Sequence, residues 1–266
     1  VRALLASPLG FLIGLSLGAL GGGGSILAVP VLVYVAGQDA KAATATSLVL
    51  VTMTALVGIV PHWRAGRVRL LPGLVFGAVG VIGAIVGSRL NERADPDVLL
   101  LLFAGVMVAA AVGMWRSARR RRSQSASAAG APEPQTTIVS VDARTAVRVA
   151  LAGSLVGLLT GFFGVGGGFV IVPMLVLALG FSMPEAVGTS LLVIVINSLV
   201  ALVMRAGAGG VEWTVVVPFA VSSLAGVLVG GRLAGRRDPS SLQQAFAVLL
   251  VIVALYTATT SLVALV

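Results

Sequence analysis

The chain has 266 residues, of which 58% are hydrophobic and only 10% charged. Soluble domains run at about 45–50% apolar and about 25% charged, so water is excluded as the main solvent and most of the chain is expected in lipid. The 18 basic and 9 acidic residues give a net charge of +9, with the basic residues mostly between apolar segments. That placement suits headgroups and topology signals rather than nucleic acid, and the absence of cysteine rules out disulfides, zinc–thiolate sites and thiol nucleophiles.

In chain order, the first apolar segment runs near Pro8–Ala36 and is interrupted by Gly21–Gly24. Arg2 before it reads like the start of a signal peptide, a reading set aside because the same stretch recurs later. Further segments follow near Ala43–Val60, Leu70–Gly87 and Val98–Trp115. An arginine cluster, Arg116 and Arg119 to Arg122, then leads into a Ser/Ala/Gly/Pro-rich run, so residues 117–143 are expected to be a flexible cytoplasmic linker. Beyond it lie segments near Ala146–Leu179, Ala186–Met204, Trp213–Gly230 and Leu242–Leu262.

The second set repeats the first. At an offset of 143, Pro30 falls on Pro173, Thr46-Ser47-Leu48 on Thr189-Ser190-Leu191, and Arg89, Arg93, Asp95 and Pro96 on Arg232, Arg236, Asp238 and Pro239. About a third of the positions from Gly18 to Arg116 match their partners, and chance pairing of apolar residues does not place Arg, Asp and Pro at one offset. The expected fold is an all-α polytopic membrane protein with two repeats, residues 1–116 and 144–266, joined by the linker. Eight spans in a 4+4 arrangement, the first of each half broken by glycines, is the favoured count. The alternative makes each broken segment re-entrant, with three spans per half and an inverted repeat. Counting basic residues inside and outside gives 12 and 6 for the first arrangement and 13 and 5 for the second, so charge does not separate them.

The glycines carry the first candidate site. Gly21, Gly22, Gly23 and Gly24, with Ser25, correspond to Gly164, Gly166, Gly167 and Gly168. Glycines let a membrane helix unwind, which is tolerated at depth only beside protein or water. The half-helix that follows aims its amides and positive end at the gap, where an anion can sit without a cationic side chain. The bland alternative is close helix packing. The second candidate is Thr46-Ser47 with Thr189-Ser190, joined by Thr44, Thr52, Thr54 and Asn197, whose hydroxyls and amide can donate to a desolvated oxyanion. Against it stands the habit of membrane Ser and Thr of bonding their own helix. His62, the only histidine, reads either as an interfacial anchor or as a proton carrier. Asp39, Glu92, Asp95, Glu185, Glu212 and Asp238 fall near segment ends, so a carboxylate relay has no candidates. No hydrolase, P-loop or metal-ligand spacing is present; no enzyme activity and no cofactor or metal are expected.

The pair GALGGGGSILAVP (Gly18–Pro30) with Ala45-Thr46-Ser47-Leu48, and GFFGVGGGFVIVP (Gly161–Pro173) with Gly188-Thr189-Ser190-Leu191, resembles the TauE/SafE family of sulfite exporters over nearly the whole chain outside the linker. The resemblance implies a multi-pass permease of the cell membrane. Its implied cargo is a small sulfur-containing anion (sulfite, a sulfonate or a related species) moved by secondary active transport, with a proton or cation as coupling ion. One departure is Ser25 where the second motif has Gly168, so the halves need not contribute equally. The competing functions are an anion channel and a membrane scaffold; glycine-rich helix faces also permit a homodimer.

Overall fold

The computed structural model describes residues 2–35, 37–38, 40–91, 96–127, 143–163, 168–204, 213–236 and 238–265, and these contain helices and no strand. The helices are α1 (Arg2–Leu20), α2 (Ser25–Tyr34), α3 (Ala40–Arg64), α4 (Leu70–Asn91), α5 (Pro96–Ser127), α6 (Ala143–Phe163), α7 (Gly168–Leu177), α8 (Met183–Met204), α9 (Trp213–Arg236) and α10 (Pro239–Leu265). A 3-10 turn, Gly21–Gly24, joins α1 to α2.

The duplication governs where helices begin. Ser25, Ala40, Leu70 and Pro96 start α2, α3, α4 and α5, and the residues 143 positions later start α7, α8, α9 and α10. The short helices also end alike. Gly37 and Gly180 have φ of 72° and 70°, and the amides of Gln38 and Phe181 reach back to the carbonyls of Leu32 and Leu175. This is a Schellman closure, in which a left-handed glycine lets the last carbonyls find donors.

Among the described residues five stretches are long and apolar enough to cross a bilayer: Thr46–Arg64, Leu70–Gly87, Met183–Val203, Val216–Gly235 and Pro239–Thr259. Their outer faces leave Ile82, Val203, Val221 and Ile252 exposed, as expected of side chains that meet lipid. Because lipid is as apolar as leucine, burial of such side chains does not drive the helices together; close backbone packing does.

That packing is an exchange between the repeats. α1 lies along α9, and its equivalent α6 lies along α4. On α1, Gly14 and Gly18 face the backbone of Ser223 and Val227, while Gly226 and Gly230 of α9 face Phe11 and Leu15. On α6, Gly153, Gly157 and Gly161 meet Phe76, Gly80 and Ala84, and Gly83 and Gly87 of α4 answer at Ser154 and Leu158. Residue numbers rise together in both pairs, so both are parallel. These glycines stand four apart, the small-residue spacing that lets two backbones touch. Phenylalanines fill the space around them at repeat-related positions: Phe76 with Phe219 and Phe103 with Phe246 are all buried.

The other two pairings join equivalent helices, and they are antiparallel. In α3 against α8, Gly58 approaches Leu191 while His62 approaches Gly188. In α5 against α10, Gln243, near the start of α10, donates from Nε2 to the Met114 carbonyl at 2.9 Å, late in α5. Equivalent helices that point in opposite directions are related by a two-fold axis perpendicular to them, whereas an axis along the helices would keep them parallel.

The Pro8–Ala36 segment does not run on as one broken rod. A Cβ at Gly24 would lie 2.6 Å from the Ile13 carbonyl oxygen and 2.6 Å from the Leu17 nitrogen. In a continuous helix, rising about 1.5 Å per residue, Gly24 would stand about 10 Å beyond Leu17. The chain instead turns back on α1, and Gly21, with φ of 71°, makes the reversal. The expected linker also starts later than residue 117. α5 continues through the arginine run to Ser127, since Arg, Ala and Gln are sound helix formers and the Arg119 guanidinium lies over the Trp115 ring at 5.6 Å.

Candidate functional site

The turn after α1 and the start of α7 are in direct contact. A Cβ at Gly22 would overlap the backbone of Gly168, and one at Gly168 would stand 2.7 Å from the Gly22 carbonyl oxygen and crowd Ser25 Oγ. Gly168 is the first residue of α7 and Ser25 the first of α2, so two helix N-termini meet here. Neither helix has an acidic residue in its first turn, and the Gly24 cap of α2 makes no side-chain hydrogen bond. The Ser25 amide is spent on the Gly22 carbonyl within the 3-10 turn, so the start of α2 offers the positive end of its dipole, and α7 begins with the same polarity. Two such ends brought together without a carboxylate favour an anion between them.

The Gly21 turn packs on α8. A Cβ there would come 2.6 Å from Ser190 Oγ and 3.2 Å from both Val187 Cα and a Val172 methyl. Gly21, Gly22, Ser25, Gly168 and Ser190 therefore form one buried cluster. The backbone of Gly23 belongs to the same turn. Gly24 faces α1 and serves the reversal. Gly164, Gly166 and Gly167 lie outside the described residues.

The hydroxyls divide into engaged and free. Ser25 Oγ donates to the Gly22 carbonyl at 2.7 Å and Ser190 Oγ to the Val187 carbonyl at 2.8 Å, both one turn back. Each still offers lone pairs, and its proton can be redirected to a stronger acceptor. Thr52 and Thr54 bond the Leu48 and Leu50 carbonyls at 2.6 and 2.7 Å, the intrahelical habit that removes them from the site. Thr189 accepts the Arg69 amide at 3.1 Å and so fixes the α3–α4 loop rather than lining the cluster. Thr46 differs: it is 0% exposed and its Oγ1 has no partner. Asn197 Oδ1 is likewise buried and unpartnered. Ser47 is buried beside Thr46. A buried polar atom without a partner is uncommon and points to a missing ligand or water.

Two features escape a reading of spans alone. Arg69 donates from Nε and Nη2 to Glu185 Oε1 at 3.0 and 2.5 Å, and Glu185 Oε2 accepts from both the amide and the hydroxyl of Ser182. The Ser182-x-x-Glu185 spacing is a capping-box signal at the start of α8, so half of this clamp is readable in advance. The second is His62. It is no interfacial anchor, for only 2% of it is exposed and both ring nitrogens lack hydrogen-bond partners. Among the described residues no group of three or more His, Cys, Asp or Glu side chains is placed to hold a metal ion.

Comparison with known proteins gives the family of the chain. The family described as "Sulfite exporter TauE/SafE" matches residues 6–257. A "Probable membrane transporter protein" of Xylella fastidiosa (strain 9a5c) is 35% identical over 250 residues, covering 93% of this chain and 91% of that one. The "Probable membrane transporter protein YdhB" of Bacillus subtilis (strain 168) is 26% identical over 222 residues, covering 84% and 86% of the two chains. No solved structure matches. Its relatives carry the names of membrane transporter proteins rather than of an enzyme class, and the chain belongs to the TauE/SafE sulfite exporter family.

Proposed function

We propose that this chain is a secondary transporter of a small sulfur-containing oxyanion such as sulfite or a sulfonate, held between the α2 and α7 N-termini. The observation that carries the reading is the contact of Gly22 and Ser25 with Gly168, which brings the starts of α2 and α7 together with no acidic residue in either first turn. Oriented dipoles and hydroxyls with no lysine among the described cluster residues suit an anion that must be released again, because fixed cationic ligation slows departure.

Each half crosses the membrane three times and adds a hairpin, α1–α2 or α6–α7, that enters and returns. Three observations support this over four crossings: the reversal at Gly24, the antiparallel α3–α8 pair, and Gly235 near the end of α9, whose Cβ would lie 3.9 Å from Arg67 Nη1 on the α3–α4 loop. Four crossings per half would place those last two on opposite faces. An odd number of crossings inverts the second half, the architecture in which paired broken helices share one site. With arginines 119 to 122 on the cytoplasmic side, the α3–α4 loop and the end of α9 are cytoplasmic as well. The coupling ion is a proton or a cation, and the membrane is the cell membrane.

The test is flux of sulfite and of methanesulfonate into proteoliposomes. Saturable uptake that requires an ion gradient, lost in Gly21→Leu while that variant remains monodisperse, supports the reading. Uptake linear in concentration and independent of any counter-ion makes the protein a channel. Wild-type flux in Gly21→Leu, or no anion flux at all, overturns the site or the function.

A further inference from the structure

His62 sits in the last turns of α3, where three other helices close around it. Its Cβ lies 3.1 Å from where a Cβ of Gly188 on α8 would be, the Gly18 carbonyl of α1 lies alongside its ring, and Pro61 beside it packs on Gly231 of α9. Any side chain at Gly188 would press on His62, so the glycine leaves the imidazole its place. Neither ring nitrogen makes a hydrogen bond of good geometry, the Gly18 carbonyl being the acceptor alongside the ring. An imidazole always has at least one N–H to donate, so this burial is costly without a further partner.

The ring is also close to the helix break along two routes. Gly18 lies three residues before Gly21 on α1, and Gly188 lies between Val187 and Ser190, the two α8 residues that touch Gly21. The charged groups around it are mostly cationic. Arg64 follows it on α3, Arg67 reaches toward α9 from the loop, and Arg232 is exposed on α9. Glu185 of α8 is already paired with Arg69. The described part of α1 that faces the ring carries no charge. Among the described residues a proton on His62 therefore has no free carboxylate to offset it, and an arriving anion supplies the missing charge.

We propose that His62 is a second contact for the transported oxyanion, donating a ring N–H to it on the α3–α8 side of the Gly21 turn and taking up a proton together with it. This rests on the anion reading of the helix breaks. Proton and anion then enter as a pair: one proton from solution binds the imidazole as the anion accepts its hydrogen bond, and both leave together. By linkage, an anion that binds the protonated ring more tightly also promotes that protonation.

The chain contains one histidine, so protein labelled with [15N]histidine gives a single imidazole spin system that reads this site directly. Methanesulfonate, an anion at every pH used, is added alongside sulfite, which itself takes a proton near neutrality. Thermal stability is followed on the same samples. The expected result is a saturable movement of the ring signals toward those of the protonated form, with the anion raising the melting temperature. His62→Gln keeps an N–H donor but cannot carry the proton, so at a pH where the wild-type ring is protonated it should bind methanesulfonate about tenfold more weakly, and its affinity should no longer depend on pH. Anion-dependent stabilisation with unmoved ring signals overturns the role of His62 and leaves the anion site standing. Ring signals and melting temperature that ignore every anion overturn both. The labelled wild-type protein decides the matter even if His62→Gln does not fold.

Discussion

Gly168→Ala is the most direct probe of the meeting helix breaks. The added Cβ would stand 2.7 Å from the Gly22 carbonyl oxygen and 2.9 Å from its Cα, where ordinary contact begins at 3.4 Å. The two backbones must therefore part by about 0.7 Å, the difference of those first and last distances. Backbone cannot rotate aside as a side chain can, so the strain falls on the α7 and α2 helices. Overpacking of this kind costs about 1–3 kcal/mol, which at about 2–4 °C per kcal/mol for a chain of this size lowers the melting temperature by roughly 2–12 °C. Parting the N-termini also weakens the shared field on the anion, and sulfite or methanesulfonate flux should fall at least tenfold. Gly105→Ala is the control, because its Cβ meets nothing within 4 Å and alanine favours a helix interior by about 1 kcal/mol. Differential scanning fluorimetry and proteoliposome flux read both variants. Gly168→Ala with wild-type stability and flux, alongside a Gly105→Ala of unchanged flux and equal or higher stability, refutes the contact and the site built on it.

The chain has no cysteine, so single cysteines report topology without a background. Ala65→Cys and Asp238→Cys should react with an impermeant maleimide from the cytoplasmic face and Arg89→Cys from the opposite one; labelling of Ala65→Cys and Asp238→Cys from different faces restores four crossings per half. Gly157→Val, whose Cβ enters the Gly80 backbone, should abolish monodisperse protein on size-exclusion chromatography, and Gly14→Val should do the same at the equivalent interface. Glu185→Gln should lower stability by about 1 kcal/mol, discounted because the pair keeps 34% and 19% of its side-chain surface exposed. Arg69→Met should cost a similar amount, and the double variant should cost less than the sum; strict additivity would show that the two groups do not interact.

The scaffold was largely legible because it rests on one repeated pattern. The offset of 143 fixes the register of both halves, and helix starts at Ser25 and Gly168 or Ala40 and Met183 obey it. Direction was not legible. A run such as Pro8–Ala36 is long enough to cross, and length says nothing about whether the chain goes on or turns back. The decisive quantity is the left-handed φ at Gly21, which any of four adjacent glycines could have adopted. The small-residue spacing of Gly10, Gly14 and Gly18 was present in the sequence, yet its partner strip on α9 follows only once parallel packing between repeats is known.

The polar groups were less legible, and the repeat itself explains why. Duplication preserves what the common scaffold needs, so Gly37 with Gly180 and Phe76 with Phe219 stay matched. The residues whose polar atoms are left unpartnered tend not to match: Thr54 stands opposite Asn197 and His62 opposite Arg205 at the same offset. Thr54 spends its hydroxyl on its own helix, whereas Asn197 keeps a free oxygen. Thr46 keeps a free hydroxyl, whereas its identical partner Thr189 is occupied by the Arg69 amide. Even a conserved pair is thus made unequal by the loop beside it. Two inverted halves with identical polar groups would bind an anion equally from either face. Here the Arg69–Glu185 clamp, the occupied Thr189 and the buried His62 all gather where the end of α3 meets the start of α8. The two halves share their helix starts and differ in these side chains, and it is the side chains that can distinguish one direction of passage from the other.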